Sequence, residues 1–152
     1  MAQTNALSAY RQTRIKTANQ GQLILMLYDG GISNLDRAVE LIRCRNSSKK
    51  DPSKIPSKIE ETGKAILKAQ EIITELMVSL DFEQGGEIAK NLFALYTWFN
   101  KELLEAHLTL DEARLLAVRN SLDDIRKSWA LVFAKNTAAE KPELNAGINI
   151  AG

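Results

Sequence analysis

The sequence predicts an all-α protein: an antiparallel up-down four-helix bundle with a mobile N-terminal lid segment and a disordered C-terminal tail. Three observations point there. Apolar residues recur at alternating steps of three and four in four separate stretches, the spacing that lines one face of a helix. Most of the three prolines and eight glycines fall outside those stretches. Leu23-Ile24-Leu25-Met26-Leu27-Tyr28 is an unbroken apolar run, which in a helix turning about 100° per residue is apolar nearly all round. Such a helix is covered on every side or keeps one side for a partner. The run is too short to cross a bilayer, which needs about 20 apolar residues, so no membrane insertion is expected.

The totals are those of one soluble domain. The chain has 152 residues, 45% hydrophobic and 26% charged, long enough to bury a core. A net charge of +1 argues against a dedicated nucleic-acid binder, which carries a basic excess. Cys44 is the only cysteine, which excludes an internal disulfide and a cysteine-based zinc site. No secretory signal opens the chain, and a reducing, cytoplasmic compartment is expected.

Residues 1–16 are too polar to stand alone as a helix, but Leu7, Tyr10 and Ile15 are spaced to rest on a neighbour. They read either as a frayed terminus or as a mobile lid. Thr17-Ala-Asn-Gln20 fits a capping box and opens a helix over about 18–45, with Ile24, Tyr28, Gly31, Leu35, Ala38 and Ile42 as its seam. Gly30 and Gly31 cost about 1 kcal/mol each relative to Ala in mid-helix, a cost that close approach of another backbone would repay. Residues 46–57, with Pro52 and Pro56, read as a loop.

Ser57-Lys-Ile-Glu60 fits a second capping box, opening a helix over about 58–80 with Ile59, Gly63, Ile66, Gln70, Ile73, Met77 and Leu80 in line. Asp81–Gly86 reads as a tight connection. The third helix, about 86–107, has Ala89, Leu92, Tyr96, Phe99, Leu103 and Ala106 as its seam. Phe93, Leu95, Trp98 and Leu104 lie off it, more apolar surface than one stripe needs. They are either the edge of a wide core or one wall of a hydrophobic groove. Thr109-Leu-Asp-Glu112 fits a third capping box, and the fourth helix, about 110–135, lines up Leu115, Val118, Leu122, Ile125, Trp129 and Val132. Residues 136–152 lose the pattern and read as a flexible tail.

No catalytic constellation is present. A di-iron bundle needs inward Glu and Glu-x-x-His pairs, and the single histidine, His107, follows Leu104 at that spacing. Neither a phosphate-binding glycine loop nor a His-Glu-x-x-His motif occurs. His107 reads as a helix-dipole partner. No enzyme, no metal site and no cofactor are therefore expected. What remains is polypeptide binding, in which an amphipathic segment enters an apolar groove.

Two blocks of residues carry a resemblance. Ala9-Tyr10-Arg-Gln-Thr-Arg-Ile15-Lys-Thr17-Ala18, followed by Leu23-Ile-Leu-Met26-Leu27-Tyr28-Asp29-Gly30, resembles the N-terminal signature of the FliS family of flagellin-specific export chaperones. Ala69-Gln70-Glu-Ile-Ile73, Ser79-Leu80-Asp81 and Gly85-Gly86-Glu87-Ile88-Ala89-Lys-Asn91-Leu92-Phe-Ala-Leu95-Tyr96 resemble its second block. The likeness covers about residues 9–135. One departure stands out: where the family continues with Ser-Pro-Glu-Glu-Leu, this chain has Asn19-Gln20-Gly21-Gln22-Leu23, and Gly21 should loosen the first turn.

The resemblance implies a cytoplasmic chaperone that binds the disordered C-terminal segment of flagellin, prevents premature polymerisation and supports secretion by the flagellar type III system. Other flagellar export or regulatory proteins are further partners it allows. The implied partner-binding residues are Leu7, Tyr10, Ile15 and Tyr28 with Ala89, Leu92, Phe93 and Tyr96, although Tyr28 also lies on a core seam. Two rivals stand beside this reading: a structural or regulatory bundle that self-associates through the same apolar surface, and RNA binding through the basic cluster around residues 43–58.

Overall fold

The computed structural model describes residues 20–47, 53 and 55–139. They form four helices, α1 (Gln20–Ser47), α2 (Ile55–Val78), α3 (Phe82–Thr109) and α4 (Glu112–Ala139), with no strand among the described residues. Each helix packs beside its neighbours in sequence, and α4 closes the square against α1, so α1 and α3 face each other diagonally. This is the antiparallel up-down bundle that short connections enforce.

The seams meet in one core. Tyr28, Leu35 and Ile42 of α1, Ile66, Ile73 and Leu76 of α2, Tyr96, Phe99 and Leu103 of α3, and Leu115, Val118 and Leu122 of α4 are its largest fully buried side chains. Of the Leu23–Tyr28 run, Leu23, Leu27 and Tyr28 are buried and Ile24, Leu25 and Met26 half-buried, so no residue of the run is exposed. The all-round apolar turn is thus buried on one side and partly covered on the other.

Charges fix the register of α1 against α4. Asp29, Asp36 and Arg43 are spaced seven apart on α1, and Arg126, Arg119 and Glu112 are spaced seven apart on α4. They pair in antiparallel order: Arg126 bonds Asp29, Arg119 reaches Asp36 at 2.8 Å, and Arg43 reaches Glu112 at 2.8 Å. The third pair has its sign reversed. The Asp29–Arg126 and Asp36–Arg119 pairs each contribute at most about 1 kcal/mol. A slip of seven residues, two turns, would set like charges side by side, Arg43 beside Arg119 or Asp36 beside Glu112, as at the flanking positions of a coiled coil.

The element ends differ from the capping-box expectations. Ile55 and Pro56 already belong to α2, where proline suits a first turn, so Ser57 lies inside the helix and does not cap it. At the turn from α3 to α4, Leu110 adopts the left-handed conformation (φ 53°, ψ 46°) and its N–H donates to the Ala106 carbonyl. That ends α3, and the Asp111 carboxylate then accepts from the N–H groups of Ala113 and Arg114 at 3.0 and 3.4 Å. Asp111 is the cap, while the Thr109 hydroxyl donates back to the Glu105 carbonyl at 2.8 Å. α4 runs on to Ala139, so residues 136–139 are helix where a tail was expected. The Thr17 box, the residues of the 1–16 segment and residues 140–152 lie outside the described residues.

The expected tight connection at Asp81–Gly86 is the first turn of α3. Asp81 caps it, accepting from the N–H groups of Glu83 and Gln84 at 3.0 Å. The turn is then broken from the rest of α3 at Gly86, whose φ of 51° and ψ of −125° are non-helical. This combination suits the first corner of a type II′ turn, where glycine dominates.

Two further glycines differ from expectation. It is a side chain and not a backbone that approaches Gly30: a Cβ there would stand 3.1 Å from Ile72 Cδ1. Gly21 is buried, and a Cβ on it would lie 2.9–3.1 Å from the Phe133 ring. The departure from the family pattern therefore makes room for an aromatic lid from α4 over the first turn of α1.

Candidate functional site

Burial fades along α4. Leu115, Val118 and Leu122 are fully buried, Ile125 and Trp129 half-buried, and Leu131 and Val132 exposed. The same end of the bundle holds the start of α1, the end of α2 and the Gly86 break. Between them opens a cleft that is partly open to solvent. All four helices line it: Ile24 from α1, Leu76 from α2, Ile88 and Leu92 from α3, and Trp129 from α4. Ser79, Leu80 and Asp81 form one lip with Gly85, next to the break in α3 at Gly86.

The walls are mostly apolar and the floor is aromatic. Tyr96 lines the cleft, and its hydroxyl bonds that of Tyr28 behind it. The two rings lie 6.5 Å apart across the diagonal of the bundle. Burial pushes the Tyr28 phenol above its ordinary value, opposed by its hydrogen bond to Tyr96 and by the neighbouring Trp129 indole. Tyr96 is raised by burial first and then by Tyr28. Both phenols therefore stay neutral in the fold. Trp129 stacks on Phe133 at 5.3 Å, and Phe133 covers Gly21, so this wall is tied to the start of α1.

The expected site residues separate into three groups. Ala89, Leu92 and Tyr96 come together in the cleft. Phe93 turns away: it is 44% exposed and meets Phe82 edge-on at 5.9 Å, on the outside of the lip. Tyr28 is 0% exposed and is a core residue behind the cleft, with no surface of its own to offer. Leu7, Tyr10 and Ile15 lie outside the described residues.

Sequence reasoning missed Ile24, Leu76, Leu80, Ile88 and Trp129 as cleft residues. The one available signal was Ile88, an isoleucine off the α3 seam that the structure leaves 64% exposed. The others sit on core seams, and only the opening of the bundle end distinguishes them.

The rest of the molecule offers little chemistry. Among the described residues no cluster of His, Cys, Asp and Glu could hold a metal ion. No helix among them is long and apolar enough to cross a membrane. His107 packs against Gly63, where a Cβ would come within 2.7 Å of Nε2, a tight helix crossing in addition to its place in the last turn of α3. Arg43, counted in the basic cluster, is engaged by Glu112, whose hydrogen bond raises its pKa.

A family model described as "Flagellar protein FliS" matches residues 3–136. The chain is similar to the flagellar secretion chaperone FliS of Salmonella typhimurium (strain LT2), 32% identical over 145 residues that cover 92% of this chain and 98% of that protein. It is also similar to that of Escherichia coli (strain K12), 33% identical over 78% of this chain and 79% of the relative. The Bacillus subtilis (strain 168) chaperone of the same name is 29% identical over 85% of this chain and 86% of its own length.

Proposed function

The chain belongs to the FliS family of flagellar secretion chaperones, and on that premise we propose that it binds the C-terminal segment of flagellin in the cytoplasm. It holds that segment from polymerising and supports its secretion by the flagellar type III system. The supporting observation is the apolar cleft at the open end of the bundle, walled by Ile24, Leu80, Ile88, Leu92 and Trp129. A client segment that is disordered alone folds as its apolar side chains replace water in the cleft. The binding is non-catalytic and needs no cofactor.

Of the residues expected to bind the client, Ala89, Leu92 and Tyr96 serve this cleft, and Phe93 belongs to its outer lip. In this reading Leu7, Tyr10 and Ile15 form the covering strip of a lid domain over residues 1–16, with residues 17–139 as the bundle and a tail beyond. Burying about 1,000 Å² of apolar surface would supply about 25 kcal/mol gross. Ordering the client and losing its free motion offset most of that, which leaves a releasable complex.

Titration calorimetry with a peptide of the flagellin C-terminal segment tests the proposal. One-to-one binding with a negative heat-capacity change is the expected result. Absence of heat over a range of temperatures, together with absence of co-elution, would remove the proposal and leave self-association through the same surface as the next test.

A further inference from the structure

We propose that the Tyr28 hydroxyl is a positioning group for client binding: from behind the cleft it holds the aromatic floor, Tyr96, and the aromatic wall, Trp129, in their binding arrangement. The inference rests on the cleft being the client site. It goes beyond that reading because Tyr28 touches no client.

The geometry makes Tyr28 a junction of three helices. It stands on α1, bonds Tyr96 of α3 through the paired hydroxyls, and has the Trp129 indole of α4 as its second polar neighbour. Both partners line the cleft, while Tyr28 does not. α1 and α3 are diagonal in the square and share no extended packing, so this bond is a direct tie across the middle of the open end. The hydroxyls are buried, at 0% and 2% residue exposure, where a hydrogen bond is undisturbed by competing water.

A phenol at this place does what a phenylalanine of the same shape cannot. The ring alone would fill the core equally well. The hydroxyl adds a directional constraint, because an O–H···O bond weakens steeply when bent. Tyr96 is thereby kept from turning into the cleft, and Trp129 from closing over it. A preformed cleft spares the client the ordering of its own binding site.

The test is a series of Tyr28→Phe, Tyr96→Phe and the double variant, all in a Trp98→Phe background so that Trp129 is the sole tryptophan. Affinity for the flagellin C-terminal peptide, thermal midpoint and peptide-free Trp129 emission are measured for each. Tyr28→Phe is expected to weaken peptide binding about three- to tenfold, the value of one hydrogen bond, and to shift the emission. The double variant leaves no orphaned hydroxyl. It should therefore regain thermal stability yet keep the weakened binding and the shifted emission.

Affinity that simply follows the thermal midpoint through the series would make Tyr28 a core residue only and overturn the inference. Unchanged emission in Tyr28→Phe would do the same. Should the parent protein fail to bind the peptide, the proposed client is wrong, and the peptide-free emission still decides whether Tyr28 sets the cleft.

Discussion

Replacing Gly86 by alanine isolates the backbone geometry that shapes the cleft lip. The φ of 51° and ψ of −125° at Gly86 are open to glycine and strained for an L-residue. A Cβ there would meet nothing within 4 Å, so steric collision contributes nothing and the whole effect is conformational. Strain of this kind costs about 1–3 kcal/mol, which lowers the thermal midpoint of a domain of this size by roughly 4–10 °C.

The chain has one way to relieve that strain: position 86 becomes helical and α3 straightens. The Ser79–Gly85 lip would then move, so a smaller loss of stability must come with a larger loss of flagellin-peptide affinity. Differential scanning calorimetry and peptide titration of the same sample read both. Gly86→Ala with an unchanged midpoint and unchanged affinity would refute the reasoning, since one of the two must shift.

Other perturbations give separate checks. Asp36→Arg should cost up to about 1 kcal/mol, and adding Arg119→Asp should restore most of it, as read by chemical denaturation in a double-mutant cycle. Phe99→Ala should destabilise the bundle by about 3–5 kcal/mol, enough to show as a large drop in denaturation midpoint, because its ring is fully buried among the seams of the core. Tyr28 and Tyr96 have folded-state pKa values raised above the ordinary 10.0. Their contribution is complete below that pH and is lost as pH rises through it, because the unfolded chain releases its phenol protons first. Thermal midpoints should thus fall more steeply above pH 10.0 in the parent protein than in Tyr28→Phe/Tyr96→Phe. Tyr10→Ala should weaken peptide binding and leave the thermal midpoint alone; an equal loss of both would make Tyr10 a core residue.

What the sequence made legible follows from what periodicity encodes. The α3 seam from Ala89 to Ala106 was read correctly except at Leu92, which is half-buried, because burial on one face of a helix needs only the 3.6-residue repeat. The caps were harder. Thr109 and Asp111 are both good capping residues, and the choice was made by Leu110 taking the left-handed conformation, which no local spacing announces. The ladder of Asp29, Asp36 and Arg43 was legible only as a polar face. Its partners lie 69–97 positions away on α4, and the seven-residue repeat on both helices was the signal that could have found them.

The cleft was legible in part. Ala89, Leu92 and Tyr96 came from one helix and one motif, whereas Ile24 and Trp129 join them only through the packing of α1 against α4. Tyr28 shows the converse: motif and seam both marked it, and only the bond to Tyr96 across 68 positions separates a surface role from a buried one.

The most direct test of the cleft as the client site is amide and methyl NMR mapping of the protein with the flagellin C-terminal peptide added. The largest shifts are expected at Ile24, Leu80, Ile88, Leu92 and the Trp129 indole, with Leu67 and Leu104 on the outer faces of α2 and α3 unmoved. Shifts concentrated at Leu67 and Leu104, with Ile88 and Trp129 silent, would place the client elsewhere and contradict the assignment of the cleft.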